Sequence, residues 1–281
     1  MKNQTLTAAH IAAHAQFLHQ EERAPATIQN YRRDVQSFCQ WLDGRPVTKP
    51  LVAEWKEHLL AKNLAPATVN AKLAAVNSLL GFLGLSDCRV KTVKIQRRVF
   101  RDASRELTRD EYHRLLHAAQ KQGRDRLALL METICATGVR VSEVRYITVE
   151  ALQNQRADIT LKGKVRSILL PRKLCRKLLK YARRHKIRTG EIFRTRSGRP
   201  MSRGQIWHEM KSVCQAAGVA PSKVFPHNLH HLFATVFYKT CRDIVKLADL
   251  LGHSSINTTR IYLMTTGAEH ARQLEELGLI L

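Results

Sequence analysis

Apolar residues in the first third of the chain recur every three or four positions, the spacing of one helix face. Three helices are predicted from this pattern, one between Pro25 and Gly44, one over 51–60 and one after Pro66. The apolar positions are Ile28, Tyr31, Val35, Phe38, Trp41 and Leu42 in the first helix, and Val69, Leu73, Val76, Leu79, Leu80 and Leu83 in the third. We therefore expect a helical bundle over residues 1–99.

A basic segment without helical periodicity covers residues 89–105 and indicates a linker. We place the domain boundary at 100–105. The following domain, 106–281, opens with a capping box formed by Thr108 and Glu111.

The period of the apolar pattern changes after residue 148. Residues 157–171 alternate around Lys162, Gly163 and Lys164, which predicts a β-hairpin with a basic tip. A basic amphipathic helix and a turn followed by another helix come next. The expected fold class is mainly α with a small β-sheet, a helical bundle followed by a mixed α+β domain.

The charge of the chain is strongly positive, with 47 Lys and Arg against 23 Asp and Glu. Residues 1–100 carry 14 basic and 7 acidic side chains, and the remaining 33 and 16 lie in the rest of the chain. Excess positive charge over both parts favours a long polyanion such as DNA as the partner. On their polar helix faces, Arg32, Arg33, Asn70 and Lys72 are candidate phosphate contacts.

Other compositional features narrow the class of protein. Apolar runs are too short for a membrane span, and the N-terminus is too polar for a signal peptide. The six cysteines are scattered without a CxxC motif, as expected in a reducing cytoplasm. We expect a cytoplasmic protein bound to the nucleoid, with no membrane partner and no metal.

Candidate chemistry is concentrated in residues 226–262. His227, His230 and His231 share one helix face, His253 follows Gly252, and one tyrosine, Tyr262, lies in a short helix after two serines. A phenol is a poor nucleophile at neutral pH unless cations hold an electrophile against it and absorb the developing charge. Such a tyrosine is more often a packing residue.

Four ordered motifs then point to one family. They are ATGVRVSEV around Arg140, KGKVR in the hairpin, HNLHHLFAT, and LGHSSINTTRIY. Over nearly its whole length the chain resembles the tyrosine recombinases, which include phage, Xer and conjugative-transposon integrases. The resemblance implies a core-binding domain followed by a catalytic domain.

The resemblance also implies roles for individual residues. The first catalytic arginine corresponds to Arg140, the two histidines to His227 and His253, and the nucleophile to Tyr262. The hairpin lysine corresponds to Lys162, with Lys164 as its rival. Lys164 and Arg166 are also expected to contact DNA.

The chain departs from the family at His230, where a second phosphate-binding arginine is expected. Arginine stays charged and binds phosphate with two parallel donors, whereas neutral histidine offers one donor and a shorter reach. Loss of one such donor costs about 2.7–4 kcal/mol in the transition state. We therefore expect impaired cleavage.

The implied reaction needs no cofactor. Tyr262 forms a 3′-phosphotyrosyl bond and releases a 5′-hydroxyl, and four protomers exchange strands of two duplexes through a Holliday junction. The implied partners are a double-stranded recombination site, further copies of the chain and optionally an accessory DNA-bending protein. The last segment, 268–281, is predicted to be a helix that packs on its own domain or on a neighbour. A DNA-binding protein that no longer cuts, and an enzyme that only nicks and reseals, remain alternatives.

Overall fold

A computed structural model describes residues 4–95, 103–161, 164–195, 197–263, 271–272 and 275–277. The chain divides into two compact units, Met1–Arg97 and Arg98–Leu281. Residues 100–102 of the predicted linker and most of the predicted C-terminal helix 268–281 lie outside the described residues, and Ala103–Arg105 form a short 3-10 helix.

The first unit is a bundle of four helices. They are α1 (Ala8–Gln20), α2 (Pro25–Leu42), α3 (Lys49–Ala61) and α4 (Pro66–Phe82). A proline lies in the first turn of α2, α3 and α4, where its missing N–H has no partner to lose. The apolar faces of these three helices meet around Phe38, Trp55 and Leu73, which are completely or almost completely buried.

Helix α1 is an element that the apolar pattern did not predict. Only His14 and Leu18 are buried in it, so its sequence lacks a broad apolar stripe. The helix is held by local and tertiary polar contacts. Thr7 caps its first turn, and His14 Nε2 lies 3.0 Å from Ser78 Oγ of α4.

The start of the predicted linker belongs to the first unit. Asn77 donates to the Val90 carbonyl at 2.9 Å and accepts from the Val90 amide at 3.2 Å. Two helical turns before Asn77, Asn70 forms the same two hydrogen bonds with the backbone of Val93, at 2.9 and 2.7 Å. Residues 90–93 are therefore tied along α4, which corrects the linker expected from residue 89.

The second unit contains a mainly helical core and one small sheet. Its elements are α5 (Arg109–Lys121), α6 (Asp125–Thr137), α7 (Val149–Gln153), β1 (Arg156–Leu161), β2 (Lys164–Leu169), α8 (Arg172–Arg184), α9 (Arg203–Lys211), α10 (Cys214–Ala217), α11 (Pro226–Cys241), α12 (Ile244–Leu251) and α13 (Ile256–Thr259). β1 and β2 pair antiparallel, with Arg156 opposite Leu169 and Leu161 opposite Lys164. The predicted fold class is confirmed.

Helix α6 is the central element of this unit. It packs against α5, α8, α9 and α11, and residues such as Leu130, Met131 and Ile134 are fully buried. The helix ends at Gly138, whose φ of +65° is in the left-handed region. A Cβ there would lie 2.5 Å from the ring of Phe233, so only glycine fits. The chain leaves the helix at this glycine and reaches Arg140 two residues later.

Within the described part of the chain, no helix is long and apolar enough to cross a bilayer.

Candidate active site

Arg140 lies in a turn that Glu143 holds closed. The Glu143 carboxylate accepts from the Arg140 backbone amide at 2.8 Å and from Arg140 Nη1 at 3.2 Å. The Glu143 side chain is 5% exposed, whereas that of Arg140 is 35% exposed. The turn therefore fixes the guanidinium with one side bound to a buried carboxylate and the other free to face solvent.

A second arginine binds the same carboxylate from the hairpin. Arg166 of β2 donates from Nη2 to Glu143 and from Nη1 to the Leu250 carbonyl at 2.8 Å. Its side chain is 14% exposed, and burial lowers the pKa of its guanidinium. The structure thus places Arg166 inside the domain, as a link between the Arg140 turn, the hairpin and the end of α12. This geometry does not favour the predicted contact of Arg166 with DNA.

The turn after α12 positions His253. Gly252 ends α12 with φ of +62°, and a Cβ at this position would lie 2.4 Å from Arg166 Cδ. His253 Nδ1 is hydrogen-bonded to Thr259 Oγ1 at 2.8 Å, and Thr259 is fully buried. Burial, with Arg140 next in effect, lowers the pKa of His253 to about 4. His253 is therefore an oriented, neutral imidazole at pH 7.

Tyr262 packs among three histidines. It lies in a short 3-10 helix, Arg260–Leu263, and is only 4% exposed. Its ring is inclined by 65° to that of His231, with 4.9 Å between centroids, and is nearly parallel to that of His253 at 6.2 Å. The ring of His230 is edge-on at 6.3 Å. Burial raises the pKa of Tyr262 and the charge of Arg140 opposes that shift, so the phenol is protonated at pH 7.

His230 has an environment that fixes its hydrogen-bonding role. Its Nδ1 lies 2.7 Å from the Gly138 carbonyl oxygen. A carbonyl only accepts, so Nδ1 carries the proton. Burial and then Arg140 lower the pKa of His230 to about 3, which leaves Nε2 unprotonated at pH 7. The residue that replaces the expected second arginine is therefore a neutral side chain whose remaining nitrogen accepts and does not donate.

The site residues surround two adjoining cavities. One of about 540 Å³ contains Arg140, His227 and His230, and one of about 250 Å³ contains Arg140, Arg166 and His253. His227 is half-buried, and burial followed by Arg140 lowers its pKa. Arg140 is common to both cavities. An anion between the two cavities would therefore be within reach of its guanidinium.

Two residues of the larger cavity were missed by the sequence reasoning. Arg203 and Trp207 of α9 line its rim, and Trp207 is 41% exposed. A large aromatic on the polar face of a predicted helix, one turn after an arginine, was the available signal. The described residues contain no group of three or more His, Cys, Asp or Glu side chains placed to hold a metal ion.

The predicted DNA contacts of the first unit differ in accessibility. Asp34 is buried and binds Lys72 at 3.1 Å and Arg33 at 3.2 Å, and the Arg33 side chain remains 70% exposed. Lys72 is 20% exposed and bound to Asp34, and Asn70 donates to the Val93 carbonyl, so both are more engaged inside the unit than Arg33 is. The other member, Arg32, lines a polar groove of about 550 Å³ with Gln29, Asn30, Arg33 and Gln36. Contact of Arg32 and Arg33 with DNA stays a prediction.

Strand β1 ends at Leu161 and β2 begins at Lys164, which leaves the two predicted lysines at or beyond the described part of the hairpin. Lys162 and the side chain of Lys164 are outside the described residues. Their competing assignments as the hairpin acid stay a prediction.

Comparison with known proteins assigns the family. Residues 105–269 match the phage integrase family, and residues 11–85 match the phage integrase N-terminal SAM-like domain. The chain belongs to the phage integrase family. The predicted membership of the tyrosine recombinases is confirmed.

Relatives of this integrase-family chain match it over most of its length. It is 28% identical to tyrosine recombinase XerA of Pyrococcus furiosus, over 98% of this chain and 96% of that protein. It is 31% identical to tyrosine recombinase XerC of Roseiflexus castenholzii, over 84% of this chain and 82% of that protein.

Solved structures show the same fold at lower identity. XerH bound to its difH substrate before cleavage has a TM-score of 0.71 and 20% identity, over 99% of this chain and 86% of XerH. A lambda integrase tetramer bound to a Holliday junction has a TM-score of 0.74 and 17% identity, over 93% of this chain and 78% of the lambda integrase chain.

The buried link through Arg166 leads to a stability prediction for this integrase-family chain. Arg166→Met removes two hydrogen bonds and leaves Glu143 with one cation, so the free energy of unfolding should fall by about 3 kcal/mol. Urea unfolding measures the change. Arg156→Met on β1 is the matched control, because the Arg156–Asp158 pair is more than half exposed and its loss should change stability little. Equal effects of the two substitutions would contradict the assignment.

The buried histidine leads to a pH prediction. An unfolded imidazole binds its proton near pH 6.5, but folded His230 does so only near 3, so the unfolded state binds more protons in between. Stability should therefore fall as the pH drops below 6.5, by at most about 1.4 kcal/mol per unit from this residue. His230→Gln should flatten the dependence measured by urea unfolding at pH 7, 6 and 5. His208→Gln, on the exposed face of α9, should not.

Proposed function

We propose that the chain is a site-specific DNA recombinase that cuts one strand with Tyr262. The observation that carries the proposal is that Arg140, His227, His230 and His253 line two cavities that share Arg140, while the ring of Tyr262 lies against the rings of His230 and His253. The net charge of +24 supports DNA as the substrate. The recombinase names of its relatives support the same class of reaction.

The scissile phosphate would lie between the two cavities. Arg140 contributes a guanidinium that Glu143 already orients, so binding the phosphate requires little reorganisation of this side chain. His227 and His253 line opposite cavities and would hydrogen-bond the non-bridging oxygens or assist proton transfer. Fixed donors and charge around the phosphorus are the main source of rate enhancement in phosphoryl transfer.

The Tyr262 oxygen would attack phosphorus and form a 3′-phosphotyrosyl bond. The phenol is buried and protonated before the reaction, so it loses its proton as the bond to phosphorus forms, and the neutral imidazole of His253 beside it is the proposed acceptor. The 5′-oxygen leaves and takes a proton, for which Lys162 is the proposed donor. A 5′-hydroxyl of another strand then attacks the phosphotyrosine, and the energy of the bond is conserved without ATP.

Strand exchange would take place in an assembly of four copies on two duplexes. The support is the fold shared with the lambda integrase tetramer bound to a Holliday junction. The released hydroxyl of each duplex would attack the phosphotyrosine of the other, which generates that junction. A cytoplasmic location follows from this substrate.

Cleavage by this sequence should be slow because of His230. The imidazole gives its only proton to Gly138, so Nε2 offers a lone pair where the family has a cationic donor. A lone pair and a phosphate oxygen both accept, so their contact is unfavourable. Of the two arginines that the family resemblance implies for phosphate binding, this chain retains Arg140.

A covalent-trapping assay tests the proposed function. Nicked suicide duplexes that carry a randomised site are incubated with the protein, and complexes that survive detergent are recovered, sequenced and digested to map the modified peptide. The expected result is a DNA-linked peptide that contains Tyr262 and is enriched for one site. Linkage through another residue would contradict the proposal.

A non-cleaving DNA-binding protein is the second candidate, and the neutral state of His230 is the observation that favours it. Absence of any adduct from both this protein and its His230→Arg variant, on DNA that both bind, would support that candidate. Relaxation of supercoiled DNA without exchange between two sites would instead indicate an enzyme that only nicks and reseals.

A further inference from the structure

Helix α8 has an unusual concentration of one charge. Seven of its thirteen residues are Lys or Arg, and none is acidic. The surrounding sequence continues this bias, because no Asp or Glu occurs between Asp158 and Glu191. The proposed reaction at Tyr262 uses no residue of this helix.

The two faces of α8 have separate roles. Leu174, Cys175, Leu178 and Ala182 are buried against the core, where α8 packs on α6 and α7. All of the basic side chains are exposed. Burial of the apolar face therefore stabilises the domain, whereas the basic side chains of the outer face lie outside the hydrophobic core.

Few acidic groups neutralise that outer face. Lys177 binds Glu132 at 2.6 Å and Arg184 binds Asp125 at 2.8 Å, both on α6. Among the residues that the structure describes, the other five cations have no carboxylate partner. They are Arg172, Lys173, Arg176, Lys180 and Arg183. Like charges three and four residues apart destabilise a helix, so this face is unfavourable unless a polyanion binds it.

A notch beside the first turn of α8 adds directional donors to the charge. Arg172 and Arg176 line a cavity of about 450 Å³ together with two glutamines. Gln153 is the last residue of α7, and Gln155 follows it by two positions. Guanidinium and amide N–H groups are common donors to phosphate oxygens. The notch is lined by none of the residues that line the two cavities of the candidate active site.

The dimensions of the basic face fit the backbone of duplex DNA. Arg172, Arg176, Lys180 and Arg183 form a stripe about 16 Å long on one side of the helix. Along the axis of a duplex, that length carries about nine phosphate charges when both strands are counted. A polyanion of regular charge spacing therefore matches the stripe better than a small anion does.

We propose that the outer face of α8 is a second surface for double-stranded DNA, separate from the one at Tyr262. It would hold the backbone of a duplex segment that the active site does not contact. The segment is either the flank of the same duplex or part of another duplex. This inference goes beyond the proposed function and does not depend on cleavage.

The test compares the full-length protein with the triple variant Arg176→Gln, Lys180→Gln, Arg183→Gln. A matched control removes three exposed cations elsewhere in the same unit, Arg114→Gln, Lys121→Gln and Arg199→Gln. Affinity is measured against salt on a short duplex of about 16 bp and on one about four times longer. Bridging of two short duplexes with different dyes is measured by energy transfer.

The expected result is a loss confined to the α8 variant. On the longer duplex its log–log salt slope should be smaller by up to about 2.7, since each phosphate contact contributes about 0.9. Loss of bridging between short duplexes assigns the surface to another duplex, and a slope change without loss of bridging assigns it to a flank. Its melting temperature should not decrease, because the change relieves repulsion between like charges.

Two results would overturn the inference. One is an α8 variant whose salt slope and bridging equal those of the matched control. The other is unchanged DNA binding together with loss of binding to phosphatidylserine vesicles, which would assign the face to a lipid surface. Adduct formation by Tyr262 is scored separately, so failure of the proposed cleavage leaves this comparison intact.

Discussion

Replacing Tyr262 by phenylalanine is expected to abolish the covalent protein–DNA adduct completely while DNA affinity stays within about twofold. The substitution removes one oxygen, and the ring keeps its packing against His231 and His253. The proposed phosphate-binding groups, Arg140 and His227, are unaffected. A denaturing gel of the trapped complex measures the adduct, and fluorescence anisotropy with the same duplex measures binding.

A matched tyrosine provides the control. Tyr181 lies on α8 and should be dispensable for cleavage, so Tyr181→Phe is expected to form the adduct at the parental rate. An adduct formed by the Tyr262→Phe protein would show that another side chain is the nucleophile. A large loss of DNA affinity in that protein would instead indicate that the hydroxyl has a binding role.

The second large effect is a gain. His230→Arg is expected to raise the rate of cleavage by about 10²–10³. An arginine has enough donors to bind the Gly138 carbonyl and the phosphate together, whereas His230 uses its only proton on Gly138. The cavity of about 540 Å³ that His230 lines leaves space for the longer side chain. Single-turnover cleavage of a suicide duplex measures the rate.

The pH dependence tests the neutral state of His230, on which this explanation depends. The imidazolium of His230 can donate from Nε2, but with a pKa of about 3 only about one side chain in a thousand carries that proton at pH 6. The advantage of arginine should therefore change by no more than about twofold between pH 8 and 6. An advantage that shrinks severalfold over this range, as it would for an imidazole of ordinary pKa, or a slower arginine variant, would contradict the role given to His230.

Sequence reasoning located most of the candidate site but could not assign the buried connections. Tyr262, His253 and Arg140 stand in local motifs, and local capping by Gly138 and Ser255 sets their backbones. The interior position of Arg166 was missed because it depends on the Leu250 carbonyl, 84 residues away in the chain. A basic residue next to a basic hairpin tip is indistinguishable in sequence from one that faces DNA.

Contacts between distant parts of the chain also explain the errors in the predicted fold. Helices α2 and α4 have continuous apolar stripes and prolines at their starts, so their positions were predictable. Helix α1 was missed because its burial comes from single contacts such as His14 with Ser78. Asn70 was expected on an open polar face, but its amide pairs with Val93, a contact that only the folded chain creates.

The bond between β2 and α12 has a practical consequence for protein engineering. A hairpin transplanted from a relative would lack the hydrogen bonds to Glu143 and Leu250 unless it carried an arginine at position 166. Gly252 is matched to that arginine, because a Cβ at 252 would occupy the space of its Cδ. Positions 143, 166 and 252 therefore form one structural unit, and chimaeras should exchange all three together.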